Sequence, residues 1–282
     1  MQPKTWFITG ASRGFGARIA SRALAQGDYV VATARNPATI DETLGHHPNL
    51  LALKLDVTDE AQARAAAQHA VERFGRIDVL LNNAGFGLLG AVEEATAREI
   101  EALYRTNVFG LLAVTRAVLP HMRRQRSGRV LNISSIGGYR GGAGFGVYCS
   151  TKFAVEGLSE ALHDELAPLG IHVTVIEPGY FRTDFLDATS LSVSQVRIPD
   201  YDATAGKVRQ VAAEISHNQP GDPEKLARSI VAFADAPNPP VRLPLGSDTV
   251  AAIAAKHQDD AAILDKWRSV AISTDFAAPQ AA

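Results

Sequence analysis

Tyr148 and Lys152, in the segment YCSTK, are the residues whose types and spacing point most clearly to chemistry. Residues four positions apart lie on one face of a helix. A phenol can donate a proton, but its usual pKa of about 10 is too high for efficient acid–base work near neutral pH. A neighbouring lysine ammonium favours the phenolate and would lower that pKa. The pair therefore predicts proton transfer, such as the protonation of a carbonyl oxygen during its reduction.

Cys149, the only cysteine of the chain, lies between these two residues. On a helix it points about 100° away from Tyr148. Since no partner base is evident for its thiol, we assign it to packing. A single cysteine also excludes an internal disulfide and any multi-cysteine metal site, and the histidines lack metal-ligand spacing. We therefore expect no metal.

The elements that must position these side chains follow from an alternation of short apolar runs with longer segments of helical period. Six β-branched, apolar runs predict buried strands: 4–9, 29–34, 50–55, 79–82, 129–134 and 171–177. Near the end of the chain, a seventh strand is expected at 241–245. Asp222, followed by proline and glutamate, predicts a helix start and a helix through Phe233, and a closing helix is expected from Ser247 to about Val270.

This alternation predicts an α/β fold, a doubly wound parallel β-sheet of about seven strands with helices on both faces. No proline- or serine-rich linker and no repeat divides the 282 residues. We expect one domain over 1–282 with an irregular insertion at about 184–220. Long irregular segments in compact domains are usually binding loops, so this insertion is named the lid segment.

A glycine-rich loop, TGASRGFG, joins the first strand to the first helix. Its three glycines are Gly10, Gly14 and Gly16. Glycines here let the backbone approach a pyrophosphate, and the helix N-terminus supplies N–H donors, although the spacing is G-x-x-x-G-x-G rather than G-x-G-x-x-G. Arg13 in this loop and Arg35 after the second strand can bind a 2′-phosphate, while Ala34 stands where an acid would favour NAD. The pattern predicts NADP(H).

Together with motifs elsewhere in the chain, these residues resemble the short-chain dehydrogenase/reductase (SDR) family in its single-domain, Rossmann-fold form. The matching motifs run in family order from residue 4 to about 184: the glycine loop, Asp56-Val57, Asn82-Asn83-Ala84-Gly85, Asn107, Ser135, Tyr148-x-x-x-Lys152, and Pro178-Gly179 followed by Thr183. Within the family, NNAGFGLLGAVEE and YCSTKFAVEGLSEAL look most like the branch of hydroxysteroid and retinol dehydrogenases.

The resemblance implies a catalytic role for four residues. Tyr148 would be the general acid/base, and Lys152 would lower its pKa. Ser135 would hydrogen-bond and orient the substrate oxygen, a role that its position after the fifth predicted strand also favours. The carbonyl groups of Asn107 would hold a water that relays protons to the lysine, whereas an isolated helical asparagine more often has a structural hydrogen bond.

The resemblance also implies a set of cofactor contacts. They are Gly10, Ser12, Arg13, Gly14, Phe15, Gly16, Arg35, Asp56, Val57, Asn83, Ala84, Gly85, Tyr148, Lys152, Pro178, Gly179 and Thr183. Asp56 would meet the adenine edge, Asn83 would stabilise the central strands near the ribose, and Thr183 would contact the nicotinamide carboxamide. A plain turn role remains open for these motifs, and Asp56 could instead cap the helix that begins at 58–60.

Composition bounds the possible partners. With 46% hydrophobic and 21% charged residues, wholesale disorder is excluded, and a formal net charge of −2 gives no footprint for nucleic acid or an anionic membrane. Since no signal peptide or membrane span is evident, we expect a cytoplasmic protein. The resemblance implies a homodimer or homotetramer formed through the helices that carry Asn107 and Tyr148.

These observations predict an NADP(H)-dependent oxidoreductase that interconverts a ketone or aldehyde and an alcohol by hydride transfer. The lid segment supplies apolar candidates for a pocket that would take a large apolar substrate: Phe185, Leu186, Leu191, Val193, Val196, Ile198 and Tyr201. Three alternatives stay open. They are an epimerase or dehydratase of the same superfamily, an enoyl reductase, and a non-catalytic NADP(H)-sensing regulatory protein.

Overall fold

A computed structural model of the chain describes residues 2–276. Its strands, in chain order, are β1 (Thr5–Thr9), β2 (Tyr29–Ala34), β3 (Leu50–Lys54), β4 (Val79–Asn82), β5 (Gly87–Leu89), β6 (Gly128–Ile133), β7 (Ile171–Pro178), β8 (Leu191–Val193) and β9 (Arg242–Leu245). Its α-helices are α1 (Gly14–Ala25), α2 (Ala38–Leu44), α3 (Glu60–Phe74), α4 (Ala97–Tyr104), α5 (Leu111–Gln125), α6 (Gly146–Leu166), α7 (Lys207–Ile215), α8 (Pro223–Phe233) and α9 (Ser247–Ile272). Among these described residues, no helix combines the length and the hydropathy needed to cross a lipid bilayer.

Seven strands form one parallel sheet in the order β3-β2-β1-β4-β6-β7-β9. The predicted fold is confirmed, and each predicted strand end lies within one residue of the observed one. The strand order reverses at β1, which lies between β2 and β4. Ligands of such sheets bind in the crevice at the carboxyl ends of the strands around this reversal.

Apolar side chains alternate along β1, so that helices cover the sheet on both faces. Trp6 and Ile8 point to one face, where they pack with residues of α1 and α8 such as Ile230. Phe7 points to the other face, where α3 and α5 supply residues such as Val118. The sheet is thereby packed between two hydrophobic cores, one on each face.

The lid segment contains two short elements that the sequence pattern did not predict. β8 pairs in parallel with β5, which follows the Asn83 motif, and α7 spans nine residues. α7 is amphipathic, but its nine residues fully bury only Ala212 and are too short for their period to stand out in an irregular segment. Three-residue strands such as β5 and β8 carry too few residues to show an alternation. The N-cap predicted at Asp222 is confirmed, because its carboxylate accepts hydrogen bonds from Glu224 N and Lys225 N.

Candidate active site

A cavity of about 930 Å³ opens at the carboxyl edge of the sheet, between the glycine loop and the lid segment. Its wall includes the predicted residues Gly10, Ser12, Arg13, Gly14, Phe15, Arg35, Asp56, Val57, Asn83, Ala84, Gly85, Ser135, Tyr148, Lys152, Pro178, Gly179 and Thr183. Two predicted residues, Gly16 and Asn107, lie behind this wall. Residues predicted from separate motifs, from Gly10 to Thr183 in the sequence, thus line one cavity.

Tyr148 and Lys152 lie one turn apart near the start of α6, and each is only 7% exposed. The Lys152 Nζ atom donates a hydrogen bond of 2.8 Å to the carbonyl oxygen of Ile133, at the end of β6. The same atom lies 5.7 Å from the centre of the Tyr148 ring. The rings of Phe145 and Phe185 pack beside the phenol, with centroids 6.0 and 5.6 Å from it. The phenol and the amine are therefore neighbours in an apolar environment.

Burial shifts the protonation of both groups toward their neutral forms. It raises the pKa of Tyr148 above its ordinary value, and the contact with Ser135 acts in the opposite direction. It lowers the pKa of Lys152 to about 8, against the attraction of the Glu156 carboxylate. The lowering of the tyrosine pKa that we predicted from Lys152 is therefore not found in the chain alone. Desolvation of the phenolate outweighs the lysine, and Tyr148 is a neutral phenol at pH 7.

Ser135 and Cys149 lie on two sides of Gly137, in the turn that follows β6. The Ser135 hydroxyl accepts a hydrogen bond of 3.0 Å from Gly137 N. A Cβ atom added to Gly137 would lie 3.1 Å from Cys149 Sγ and 3.5 Å from both Ser135 Oγ and Tyr148 Cε1, so these side chains share one small space. Cys149 is 5% exposed, and burial raises the pKa of its thiol. A buried thiol of raised pKa is a poor nucleophile, which agrees with a packing role.

Asn107 lies in a π-helical turn, Arg105–Gly110, between α4 and α5. Its side chain accepts a hydrogen bond from Phe86 N at 3.1 Å and donates to Phe86 O at 2.9 Å and Thr151 Oγ1 at 3.2 Å. The amide is thereby committed to structural hydrogen bonds that hold the loop after the Asn83 motif. π turns often mark functional positions in helices. The water relay implied for its carbonyl groups stays a prediction.

The glycine loop fits a pyrophosphate by its shape. Gly10 has a φ of +64°, and the side-chain amide of Asn83 donates to Thr9 O at 2.9 Å and Gly10 O at 3.0 Å. A Cβ atom at Gly16 would lie 2.4 Å from Gly10 O, so only glycine allows this close approach. The N-cap residue of α1, Arg13, makes no side-chain bond to the helix N–H groups. Gly14 and Phe15, the first two residues of α1, line the cavity, so the start of this helix borders the space where a phosphate would bind.

Asp56 lines the cavity, but it does not cap α3. Its Oδ1 atom accepts from Thr58 N at 2.9 Å and Thr58 Oγ1 at 2.8 Å, whereas the α3 N-cap is Asp59, which accepts from Ala61 N and Gln62 N. The alternative that Asp56 caps this helix is therefore wrong, because the N-cap lies three residues later, at Asp59. One carboxylate oxygen, Oδ2, has no such turn contact, which leaves the predicted ligand role open.

Arg13 and Arg35 both lie on the cavity wall, beside the glycine loop. Thr9 of β1 pairs in register with Thr33 of β2, so the loops that follow the two strands run side by side. The Arg13 guanidinium also donates a hydrogen bond to the carbonyl oxygen of Thr189 in the lid segment. The two arginines are thus placed at the same end of the cavity, and one of them joins the glycine loop to the lid segment.

The lid segment supplies fewer cavity residues than predicted. Phe185, Leu186 and Leu191 line the cavity, whereas the other four apolar candidates lie outside it: Val193, Val196, Ile198 and Tyr201. The two valines are exposed to solvent, and the last two make contacts with the turn that follows β5. Leu191 and Ser192 line the cavity, whereas Val193, on the same face of β8 as Leu191, does not line it and is exposed to solvent.

Several charged groups near the site were not singled out from the sequence. Asp184, Asp187 and His217 bring a carboxylate or imidazole atom within 4.8 Å of one another in the lid segment. Glu156 and Glu177, both buried, each lie 2.7 Å from the same Arg242 nitrogen, behind Lys152. These groups come from separate elements, so no local spacing could have indicated them. For Glu156, the only signal in the sequence was its position four residues after Lys152 on the same helix.

Comparison with known proteins gives the class to which this fold and site belong. A family model described as short chain dehydrogenase matches residues 4–193. That match spans more than half of the chain, and the chain therefore belongs to the short-chain dehydrogenase family.

Three similar proteins illustrate the relationship. The chain is 39% identical over 246 residues to a 3-ketodihydrosphingosine reductase from Bacteroides thetaiotaomicron, covering 87% of this chain and 89% of that protein. A solved short-chain dehydrogenase from Streptomyces avermitilis has 43% identity and a TM-score of 0.90, covering 97% of this chain and 99% of that one. A 3-ketoacyl-(acyl-carrier-protein) reductase from Brucella melitensis, solved with NADH, has 28% identity and a TM-score of 0.72, covering 86% and 96%.

Proposed function

We propose that the protein is an NADP(H)-dependent oxidoreductase that interconverts a ketone or aldehyde and the corresponding alcohol, with residues 184–220 of a single domain acting as the lid. The observation that carries the proposal is the burial of Tyr148 beside Lys152 on one face of α6, at the floor of the cavity. Reduction of a carbonyl needs a hydride on carbon and a proton on oxygen, and a neutral phenol is a proton donor. When bound, a nicotinamide dinucleotide would supply the hydride.

The residues of the chain divide the remaining work. Ser135, beside Tyr148, would hydrogen-bond the substrate oxygen and hold it near the phenol. Tyr148 would give its proton to that oxygen, and Lys152, whose pKa burial lowers to about 8, would return a proton near neutral pH. The glycine loop and Asn83 would hold the pyrophosphate and ribose side, and Thr183 the nicotinamide end.

The choice of NADP(H) is supported by charge. Arg13 and Arg35 line the cavity beside the glycine loop, where the adenosine end of the cofactor would bind, and β2 ends in Ala34 rather than an acid. Guanidinium groups bind phosphate through paired hydrogen bonds, whereas an acid at the end of β2 would repel it. The Brucella melitensis relative is complexed with NADH, so the preference must be measured on this chain. We expect a higher kcat/KM with NADPH than with NADH, and a loss of that preference in Arg35→Ala.

The rings around Tyr148 support the proposal that the substrate is apolar. Phe145 and Phe185 flank the phenol, and Leu186 and Leu191 continue the wall into the lid segment. Burying such a wall against an apolar ligand stabilises the complex by about 25 cal/mol per Å². The chain is similar to a 3-ketodihydrosphingosine reductase, and the substrate in that protein's name is a ketone. We propose a relatively large, apolar ketone, aldehyde or secondary alcohol.

The test is NADPH oxidation with a panel of aliphatic, aryl and polycyclic ketones, in the wild type and in Tyr148→Phe. We expect the variant to bind NADPH with unchanged Kd and to turn over at least ~100-fold more slowly, the scale of a lost general acid. Tyr180→Phe is the matched control, because Tyr180 lines the same cavity but lies outside α6, and it should retain most activity. Unchanged turnover in Tyr148→Phe would contradict the mechanism. NADPH binding without turnover of any substrate by the wild type would favour the regulatory alternative.

A further inference from the structure

The first half of α9 forms one side of the cavity. The Asp248 carboxylate, in its first turn, accepts a hydrogen bond of 2.7 Å from Tyr180 N and fills the space beside Gly179, where a Cβ atom would collide with it. One turn later, Ala252 is half-buried and lines the cavity. Within the described chain, Ala252 is the only residue of α9 on the cavity wall. The helix is thus fixed against the end of β7, and it presents one small side chain to the cavity.

Ala252 lies at the reacting end of the cavity. Burial is the main cause of the raised pKa of Tyr148, and Tyr180, which is bound to α9, contributes to it. The two hydroxyl groups are therefore within electrostatic range of each other. Farther along α9, His257 forms a hydrogen bond with Tyr139, in the turn that follows β6. Contacts before and after Ala252 thus hold this helix beside the candidate catalytic residues.

The α9 side of the cavity has small side chains, whereas the lid side has large ones. Gly141 and Gly142 follow Tyr139 and also line the cavity, and with Ala252 they form what we name the α9 wall. A Cβ atom on either glycine would have no heavy atom within 4 Å apart from its chain neighbours, and both glycines are exposed. The lid side carries four large apolar side chains: Phe145, Phe185, Leu186 and Leu191. The free space beside the reacting centre is therefore on the α9 side.

We propose that Ala252 is a specificity-determining residue, whose small side chain admits the larger of the two groups on a ketone carbon. This inference rests on the proposed function, in which Ser135 and Tyr148 hold the carbonyl oxygen. With the oxygen held there, one substituent of the carbonyl carbon points toward the lid segment and the other toward the α9 wall. The larger substituent takes the α9 side, because the large side chains already fill the lid side.

The position of the larger group decides which alcohol enantiomer is formed. In the proposed reduction, the carbonyl carbon receives a hydride and its oxygen receives the Tyr148 proton, so the ketone is reduced and the nicotinamide is oxidised. With the oxygen held and the hydride arriving from one side, an exchange of the two substituents presents the opposite face of the carbonyl. A side chain that blocks the α9 wall should therefore change the handedness of the product, which a merely structural defect would not do.

Ala252→Phe tests the proposal with three ketones: butan-2-one, an aryl methyl ketone and a polycyclic ketone. An overfilled pocket typically costs about 10-fold or more in discrimination. We expect kcat/KM for the polycyclic ketone to fall at least ~10-fold, and that for butan-2-one to change less than about 2-fold. The enantiomer ratio of the aryl alcohol should shift at least ~10-fold toward the minor product of the wild type.

Ala254→Phe is the matched control, because position 254 is exposed and lies about 200° around the helix from Ala252. It should equal the wild type with all three ketones, and Tm and the Kd for NADPH should stay unchanged in both variants. An unchanged enantiomer ratio in Ala252→Phe, a racemic wild-type product, equal losses for butan-2-one and the polycyclic ketone, or the same effects in Ala254→Phe would overturn the proposal. Wild-type protein that reduces no ketone would instead refute the proposed function.

Discussion

Glu94 holds the lid segment to the body of the protein through a fully buried carboxylate. Its Oε2 atom accepts hydrogen bonds from Arg209 at 2.6 Å and from Ala91 N at 2.8 Å. Its Oε1 atom accepts from Ile198 N at 3.1 Å. Arg209 and Ile198 belong to the lid segment, while Glu94 lies in the turn after β5. We predict that Glu94→Ala detaches this part of the lid while the sheet stays intact.

The cost of the change can be worked out from the burial of the pair. The Glu94 side chain is 0% exposed and that of Arg209 is 14% exposed. Breaking a buried ion pair costs about 3–5 kcal/mol. We expect roughly 3 kcal/mol, the lower end, because the partly exposed Arg209 can turn toward water once its partner is lost. The loss falls on the free energy of opening the lid segment, so the Tm of the sheet should not change.

The pH dependence has a definite sign. The hydrogen bond with Arg209 lowers the pKa of Glu94 from 4.5 to about 2. The carboxylate therefore contributes stability that is present above pH 4.5 and is lost as the pH falls toward 2. The difference in free energy of lid opening between the wild type and Glu94→Ala should be constant from pH 5 to 8 and should shrink below pH 4.5.

Hydrogen exchange of the lid segment is the decisive measurement, and Glu93→Ala is the matched control. Glu93 accepts one exposed hydrogen bond, from Tyr201 at 2.6 Å, so its removal should cost less than about 1 kcal/mol. In Glu94→Ala we expect faster exchange over residues 191–215 and unchanged exchange in the central strands. In an active preparation, KM for a large ketone should rise while the Kd for NADPH does not change. Equal effects of the two substitutions, or faster exchange throughout the sheet, would refute the reasoning.

Two further predictions concern the cofactor loop and the buried lysine. Gly16→Ala should raise the Kd for NADPH at least ~10-fold by fluorescence titration, because its Cβ would lie 2.4 Å from Gly10 O and 2.6 Å from Asn83 Nδ2. Gly141→Ala, on the same cavity but in open space, should bind normally; equal losses in both would contradict the steric argument. Burial lowers the pKa of Lys152 from 10.5 to about 8, so the free energy of unfolding of the wild type should rise relative to Lys152→Met by up to roughly 3 kcal/mol between pH 8 and 10.5. A difference that stays constant with pH in denaturant titrations would show that Lys152 is charged in the folded protein.

The strands and the candidate site residues could be predicted from the sequence because both depend on local patterns. Apolar runs of four to eight residues recur at the spacing of a βαβ fold, and the strand ends carry the glycine loop, Asn83 and Ser135 to one edge of the sheet. The ordered set of motifs led to the family. Knowing which residues lie at strand ends was enough to place them around one cavity.

Features that depend on contacts between distant elements could not be predicted. The carboxylate of Glu94 meets a lid residue 115 positions away in the chain, and nothing near either residue indicates that pairing. Leu191 and Val193 lie on one face of β8, yet only Leu191 lines the cavity, a difference that a three-residue strand does not reveal in the sequence. The direction of the Tyr148 pKa shift also required the structure, because the sequence shows the lysine beside the phenol but not the burial that outweighs it.

The opposing pKa shifts of Tyr148 and Lys152 bear on the direction of catalysis. In the proposed mechanism, a neutral phenol and a lysine whose pKa is about 8 favour the transfer of a proton to a substrate oxygen. Alcohol oxidation needs the reverse, a phenolate, and burial disfavours that charge. The positive charge of an oxidised nicotinamide would have to supply the missing stabilisation. Alcohol oxidation should therefore have a higher pH optimum than carbonyl reduction, and a gap between the two optima is the kinetic signature of a phenol whose charge depends on its cofactor.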